Sequence, residues 1–267
     1  MAKTAPILRR PLVSGNWKMN HDHIEALHTV RDLGLRLKPA DVENVTVSVH
    51  PPFTDLRTVQ TLVEGESLPI SLGAQHCSDL DSGALTGEVS PVMLARLAMS
   101  YVIVGHSERR QVFSMTDECV GSTLRAVVRN KMTPICCVGE TAEERERGKT
   151  EAVIERQLTA AMDGLSSEEI ATVVVAYEPI WAIGSGDPAS TVDAEDAASF
   201  IRSVLVQLSD VSAGERVRIL YGGSVNAENA GEFAAEEEID GVLVGGASLD
   251  AKTFADIIRA VGACYRS

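Results

Sequence analysis

The chain has 267 residues, of which 45% are hydrophobic and 23% charged; that length and apolar content suit one undivided domain over residues 1–267 and exclude both disorder and a disulfide-stapled miniature. Thirty-eight acidic residues against 24 basic ones leave a net charge of -14, which repels polyanions and excludes nucleic acid as a partner, so a small anion can be held only where backbone amides or a few cations oppose the global field. The five cysteines show no C-x-x-C spacing, there is no export signal, and no apolar run approaches a membrane span, so the expected setting is the reducing cytoplasm with no membrane contact.

In chain order, short runs rich in β-branched residues fall at 12–13, 45–49, 70–72, 101–104, 134–138, 172–175, 217–220 and 242–244. Several are apolar without alternation, as parallel strands covered on both faces must be. Charged segments with helical spacing lie between them. Ile24, Leu27, Val30, Leu33 and Leu37 are expected to form one apolar face, and Val153, Ile154, Leu158 and Met162 another. Eight strands alternating with helices, without a linker, predict a closed (β/α)8 barrel; a doubly wound open sheet is the alternative.

In such a barrel the residues just after the strands converge on one rim. After the first strand stands GNWKMN with Lys18, a fixed cation. His21, His23 and His28 follow, read as a solvated helix start because no cysteine or carboxylate set completes a metal site. After the fourth strand His106 supplies a polariser or proton shuttle. Cys137 lies close to the end of the fifth; with no adjacent base it is read as a buried structural thiol near the site. After the sixth, Glu178 ends an apolar run where desolvation raises basicity. The seventh and eighth end in Tyr221-Gly222-Gly223-Ser224 and Gly245-Gly246, where backbone amides can approach an anion and form a phosphate cradle. The acidic run Glu236-Glu237-Glu238 is expected on an exposed loop or helix face. Singly, a lysine, a histidine or a glycine pair at such a place is ordinary surface or turn; a structural role gives no reason for all of them to share one rim.

These residues lie in GNWKMN, GAQ, TGEVS, VGHSERR, CCVGE, AYEPIWAIGSG, YGGSVN and GVLVGGASL, and with them nearly the whole chain resembles the triosephosphate isomerase family. The resemblance implies a TIM barrel that interconverts dihydroxyacetone phosphate and D-glyceraldehyde 3-phosphate without metal or cofactor. By it, Asn16 and Lys18 contact substrate, His106 is the electrophile, Glu178 the base and Glu108 a support. Backbone around Gly184, Ser224, Gly245 and Gly246 grips phosphate, and Thr86 reaches into the partner's site in a homodimer. Three departures stand out. Ser185 and Asp187-Pro188 replace the usual threonine and lysine pair of the lid, His76 replaces an asparagine after GAQ, and Leu85 replaces an aromatic before Thr-Gly-Glu. Two other activities fit parts of the pattern: an isomerase of tetrulose phosphates, and a non-catalytic phosphate-binding barrel. The second would need the glycines but not Lys18, His106 and Glu178 together.

Overall fold

The computed structural model describes residues 9–183 and 189–265. Within them the eight expected runs become β1 (Leu12–Asn16), β2 (Thr46–His50), β3 (Ser71–Ala74), β4 (Tyr101–Val104), β5 (Thr133–Val138), β6 (Val174–Tyr177), β7 (Arg218–Tyr221) and β8 (Gly241–Val244). Each pairs in parallel with the next, and β8 returns to β1, closing the barrel. The sixth strand starts later than its apolar run because the N–H groups of Thr172 and Val173 close the preceding turn on Glu169 and Ile170. β1 runs on to Asn16, since Ser14, Gly15 and Asn16 still pair with Ser48, Val49 and His50.

Alternation along each strand sends side chains into two layers. Val102 and Val104 of β4 join the outer core beneath the helices, whereas Tyr101 and Ile103 point inward with Leu12, Ile135, Cys137, Val174, Ala176, Leu220 and Leu243. Both faces are therefore buried, which explains the uninterrupted apolar runs. The helix Thr150–Met162 buries Val153, Ile154, Leu158 and Met162 as expected. In His23–Arg36 the buried face is Ala26, Val30 and Leu33, and Ile24 is 49% exposed. At 3.6 residues per turn Ile24 projects about 150° away from that face, so it belongs to the solvent side.

The end of the barrel opposite the expected site is tied by charge. Arg202 donates to the carbonyls of Gly214 and Val217 and pairs with Glu238 at 2.9 Å and Asp240 at 3.4 Å, while Arg9 meets the other oxygen of Asp240 at 2.9 Å. Glu238 is thus part of a partly buried ionic cluster at the β7–β8–β1 seam and departs from the exposed acidic run expected of 236–238. Two arginines needing counter-charge in the interior explain its placement.

On the β1–β3 side the barrel interior is polar. Ser14 Oγ lies 2.8 Å from both Ser48 Oγ and His50 Nε2, and His50 Nδ1 donates to the Ala74 carbonyl at 3.1 Å. Complete burial pushes the His50 imidazole down to about 4. The native state therefore stays unprotonated where the unfolded chain takes up a proton, so stability is full above pH 6.5 and falls as pH drops toward about 4, by about 3 kcal/mol. Denaturant midpoints measured across that window should fall steeply for the parent and more shallowly for His50→Asn; equal slopes would contradict the assignment.

Candidate active site

Each functional side chain is placed by the end of a strand. Asn16 is the last residue of β1, and its Oδ1 accepts the Lys18 N–H at 3.0 Å. That bond and a second, from Gln75 Nε2 to the Lys18 carbonyl at 2.8 Å, hold Lys18 at φ 54°, a conformation unusual for a residue with a side chain. Lys18 Nζ then meets Glu108 Oε1 at 2.7 Å.

His106 caps the short helix Ser107–Gln111 that leaves β4, and its Nδ1 accepts the Glu108 N–H at 3.2 Å. This bond assigns the ring proton to Nε2, which faces Glu178 Oε1 at 3.1 Å. Glu178 directly follows β6 and is 2% exposed; its Oε2 accepts the Ser107 N–H at 3.0 Å. Gly222 makes room for it, since a Cβ there would lie 2.9 Å from Glu178 Cγ.

Asn16, Lys18, His106, Glu178, Ser224, Gly245 and Gly246 line one cavity of about 310 Å³. The short helix Gly246–Ser248 begins at its wall, and the first N–H groups of a helix lack intrahelical acceptors, the property an anion exploits. Lys18 adds a cation there, partly offset by Glu108. Ile183, Val225, Asn226 and Leu243 also line the cavity. Leu243 was legible from strand alternation, two residues before Gly245; the Ser107 amide was not, because a backbone donor leaves no trace in residue type.

Three expected positions lie elsewhere. Gly184, with the lid residues 185–188, is outside the described residues. Thr86 sits on an exposed loop and does not line the cavity of its own chain. Cys137 stands behind the site on the inner face of β5, where burial first, and then the Glu178 charge, push its thiol well above the ordinary range. Among the histidines, His21 packs edge-on against Trp17 at 5.0 Å, while His23 and His28 are exposed. Among the described residues no group of side chains has a metal-binding arrangement.

Sequence comparisons place this geometry among known proteins. A family model described as Triosephosphate isomerase matches residues 11–261. A Mycobacterium avium (strain 104) protein named triosephosphate isomerase is 49% identical over 249 residues, covering 93% of this chain and 95% of its own. Proteins of the same name from Corynebacterium efficiens and Corynebacterium glutamicum are 49% and 48% identical, covering 95% and 93% of this chain and 97% and 96% of their own.

The surroundings of Cys137 make it a protonated, inaccessible thiol. At about pH 8 an alkylating reagent should label exposed Cys119 quickly and leave Cys137 untouched until the chain is unfolded. Peptide mass spectrometry reads the two sites separately, and equal labelling rates would mark Cys137 as a reactive thiolate.

Proposed function

Because the chain belongs to the triosephosphate isomerase family, we infer that it interconverts dihydroxyacetone phosphate and D-glyceraldehyde 3-phosphate by proton transfer at the cavity that Glu178 and His106 share. The observation that carries this reading is the convergence of Asn16, Lys18, His106 and Glu178 beside the glycine-lined wall. A phosphate-binding barrel without chemistry would need the wall alone.

The proton to be moved is weakly acidic and lies beside a carbonyl, so a base must act while charge on oxygen is stabilised. The Glu178 carboxylate takes the proton from carbon, the C–H electron pair becomes the enediolate double bond, and the carbonyl electrons move to oxygen. The hydroxyl proton then passes from the oxygen of the neighbouring carbon to the former carbonyl oxygen, Glu178 returns its proton to the former carbonyl carbon as the enediolate electrons collapse to the new carbonyl, and the carboxylate is regenerated. The His106 Nε2–H, which faces Glu178 Oε1, donates to the substrate oxygens when they enter between them. Lys18 and Asn16 stabilise the same negative charge, and Glu108 holds Lys18 in place. Ser224, Gly245 and Gly246 bind the phosphate with Gly184. Burial of Glu178 limits water around the base during transfer. The same base and electrophile could serve a tetrulose phosphate; the shared family and the relatives' names favour the triose substrate.

The proposed working form is a cytoplasmic homodimer. The loop holding Thr86 is exposed beside Leu85, and Met19, Val112 and Phe113 are exposed apolar side chains next in sequence to site segments. Among the described residues no helix is long and apolar enough to cross a membrane.

Glu178→Gln should lower kcat by about 1,000-fold or more, while inorganic phosphate and substrate analogues still bind, because the base and the phosphate grip are different groups. Near-parental turnover would remove Glu178 from its role. Thr86→Arg should lower dimerisation in light scattering and activity together; a fully active monomer would contradict the dimer.

A further inference from the structure

Gln157 projects from the helix Thr150–Met162 and is 5% exposed, yet its whole carboxamide is spent on one residue far from its own turn. Its Oε1 accepts the Gly139 N–H at 2.8 Å, and its Nε2 donates to the Gly139 carbonyl at 3.2 Å. Such two-way pairing is what a neighbouring strand would supply. β4 stays in register with β5 only as far as Val104 opposite Cys136, and then turns off into Gly105 and His106. On the other side the ladder continues: Glu178 N donates to Val138 O at 2.7 Å and Ile180 N to Glu140 O at 3.1 Å. Since alternate residues of a strand bond to opposite neighbours, Gly139 faces the gap left by β4, and Gln157 fills it.

Gly139 also touches the base. A Cβ at this position would lie 1.9 Å from the Glu178 carbonyl oxygen and 2.6 Å from its carbon. The Glu178 peptide is therefore bonded to Val138 through its N–H and pressed against Gly139 through its C=O, so a shift of Gly139 reaches Glu178 with little slack. The pairing borders a cleft of about 370 Å³ lined in part by Gly139, Gln157, Arg110 and Thr141. Water entering there could satisfy the Gly139 groups if the side chain were shortened, but it would not fix their position.

We propose that Gln157 is a positioning residue for Glu178: a carboxamide that takes the place of the missing strand partner at Gly139 and so fixes the peptide from which the base projects. The inference rests on the reading of Glu178 as the base. Sub-ångström placement matters at that atom, because proton transfer depends on an approach distance that small displacements spoil.

The test is steady-state kinetics on the full chain with dihydroxyacetone phosphate. Gln157→Ala should lower kcat about 10- to 100-fold and leave KM and inhibition by inorganic phosphate within about two-fold, since the cradle at the ends of β7 and β8 is untouched. Gln157→Glu keeps the acceptor for the Gly139 N–H and loses the donor while ionised. Its activity relative to the parent should therefore recover as pH falls from about 8 to about 5.5, where the carboxyl takes up a proton and donates again. A kcat within about two-fold of the parent, or a kcat loss matched by an equal loss of phosphate affinity, would overturn the proposal. If Gln157→Ala does not fold, the Gln157→Glu profile decides, and a pH-independent ratio overturns it. Glu178→Gln measured alongside separates the two readings. If that variant turns over normally, the base assignment fails; if it is inactive while Gln157→Ala is unimpaired, only the positioning role fails.

Discussion

Closing eight parallel strands into a ring leaves no edge to terminate them, so every strand departs by the same end and every helix returns outside. That constraint decides where chemistry can stand. Asn16, His106, Glu178 and Gly245 are far apart in sequence, but each is the last residue of a strand or lies within two residues of its end. Departure from the sheet frees the backbone groups the site then uses. The Ser107 amide reaches Glu178 because β4 has already turned into a helix. The same departure leaves Gly139 without a strand partner, a vacancy filled from the helix layer.

Electrostatics work against this chemistry at the scale of the whole chain and for it at the scale of the site. A net charge of -14 repels a phosphorylated sugar. Within the cavity the balance is local: Lys18 is a cation beside amide-rich backbone, and the nearest ionised partner, Glu108, fixes its position. The acidic excess elsewhere is arranged differently. Asp240 and Glu238 neutralise Arg9 and Arg202 at the opposite end of the barrel, where the charge serves closure. The ion pairs of closure and the proposed anion site thus occupy opposite ends of the same strands.

The barrel interior carries the same division sideways. Around β4 to β8 it is filled with Ile103, Ile135, Val174 and Leu220, an apolar floor beneath Glu178 that keeps its carboxyl group out of bulk water. Around β1 to β3 it is filled by Ser14, Ser48 and His50, each hydrogen-bonded. A buried polar group is tolerated only when its bonds are made, and these bonds tie together the strands that carry Asn16 and Gln75. His50 also belongs to that support through its backbone, because Gln75 Nε2 donates to the His50 carbonyl as well as to that of Lys18.

Much of this was legible in residue order. Short runs rich in β-branched residues marked all eight strands, several of them apolar without alternation because both faces are buried, and polar or glycine residues after those runs marked Lys18, His106, Glu178 and Gly245 as candidates. The helix Thr150–Met162 was readable from Val153, Ile154, Leu158 and Met162 for the same periodic reason. Tertiary structure decided what depends on distant partners. Ile24 lost its place in the core because Ala26, Val30 and Leu33 define the face that meets the barrel, and small alanine gives little periodic signal. Glu238, in a loop, became an ion-pair member only once Arg202 arrived from the helix Thr191–Leu208. The φ of Lys18, the amide of Ser107 and the grip of Gln157 on Gly139 likewise rest on backbone groups, which every residue carries alike; residue order names the side chains, and only the fold aims the peptide bonds between them.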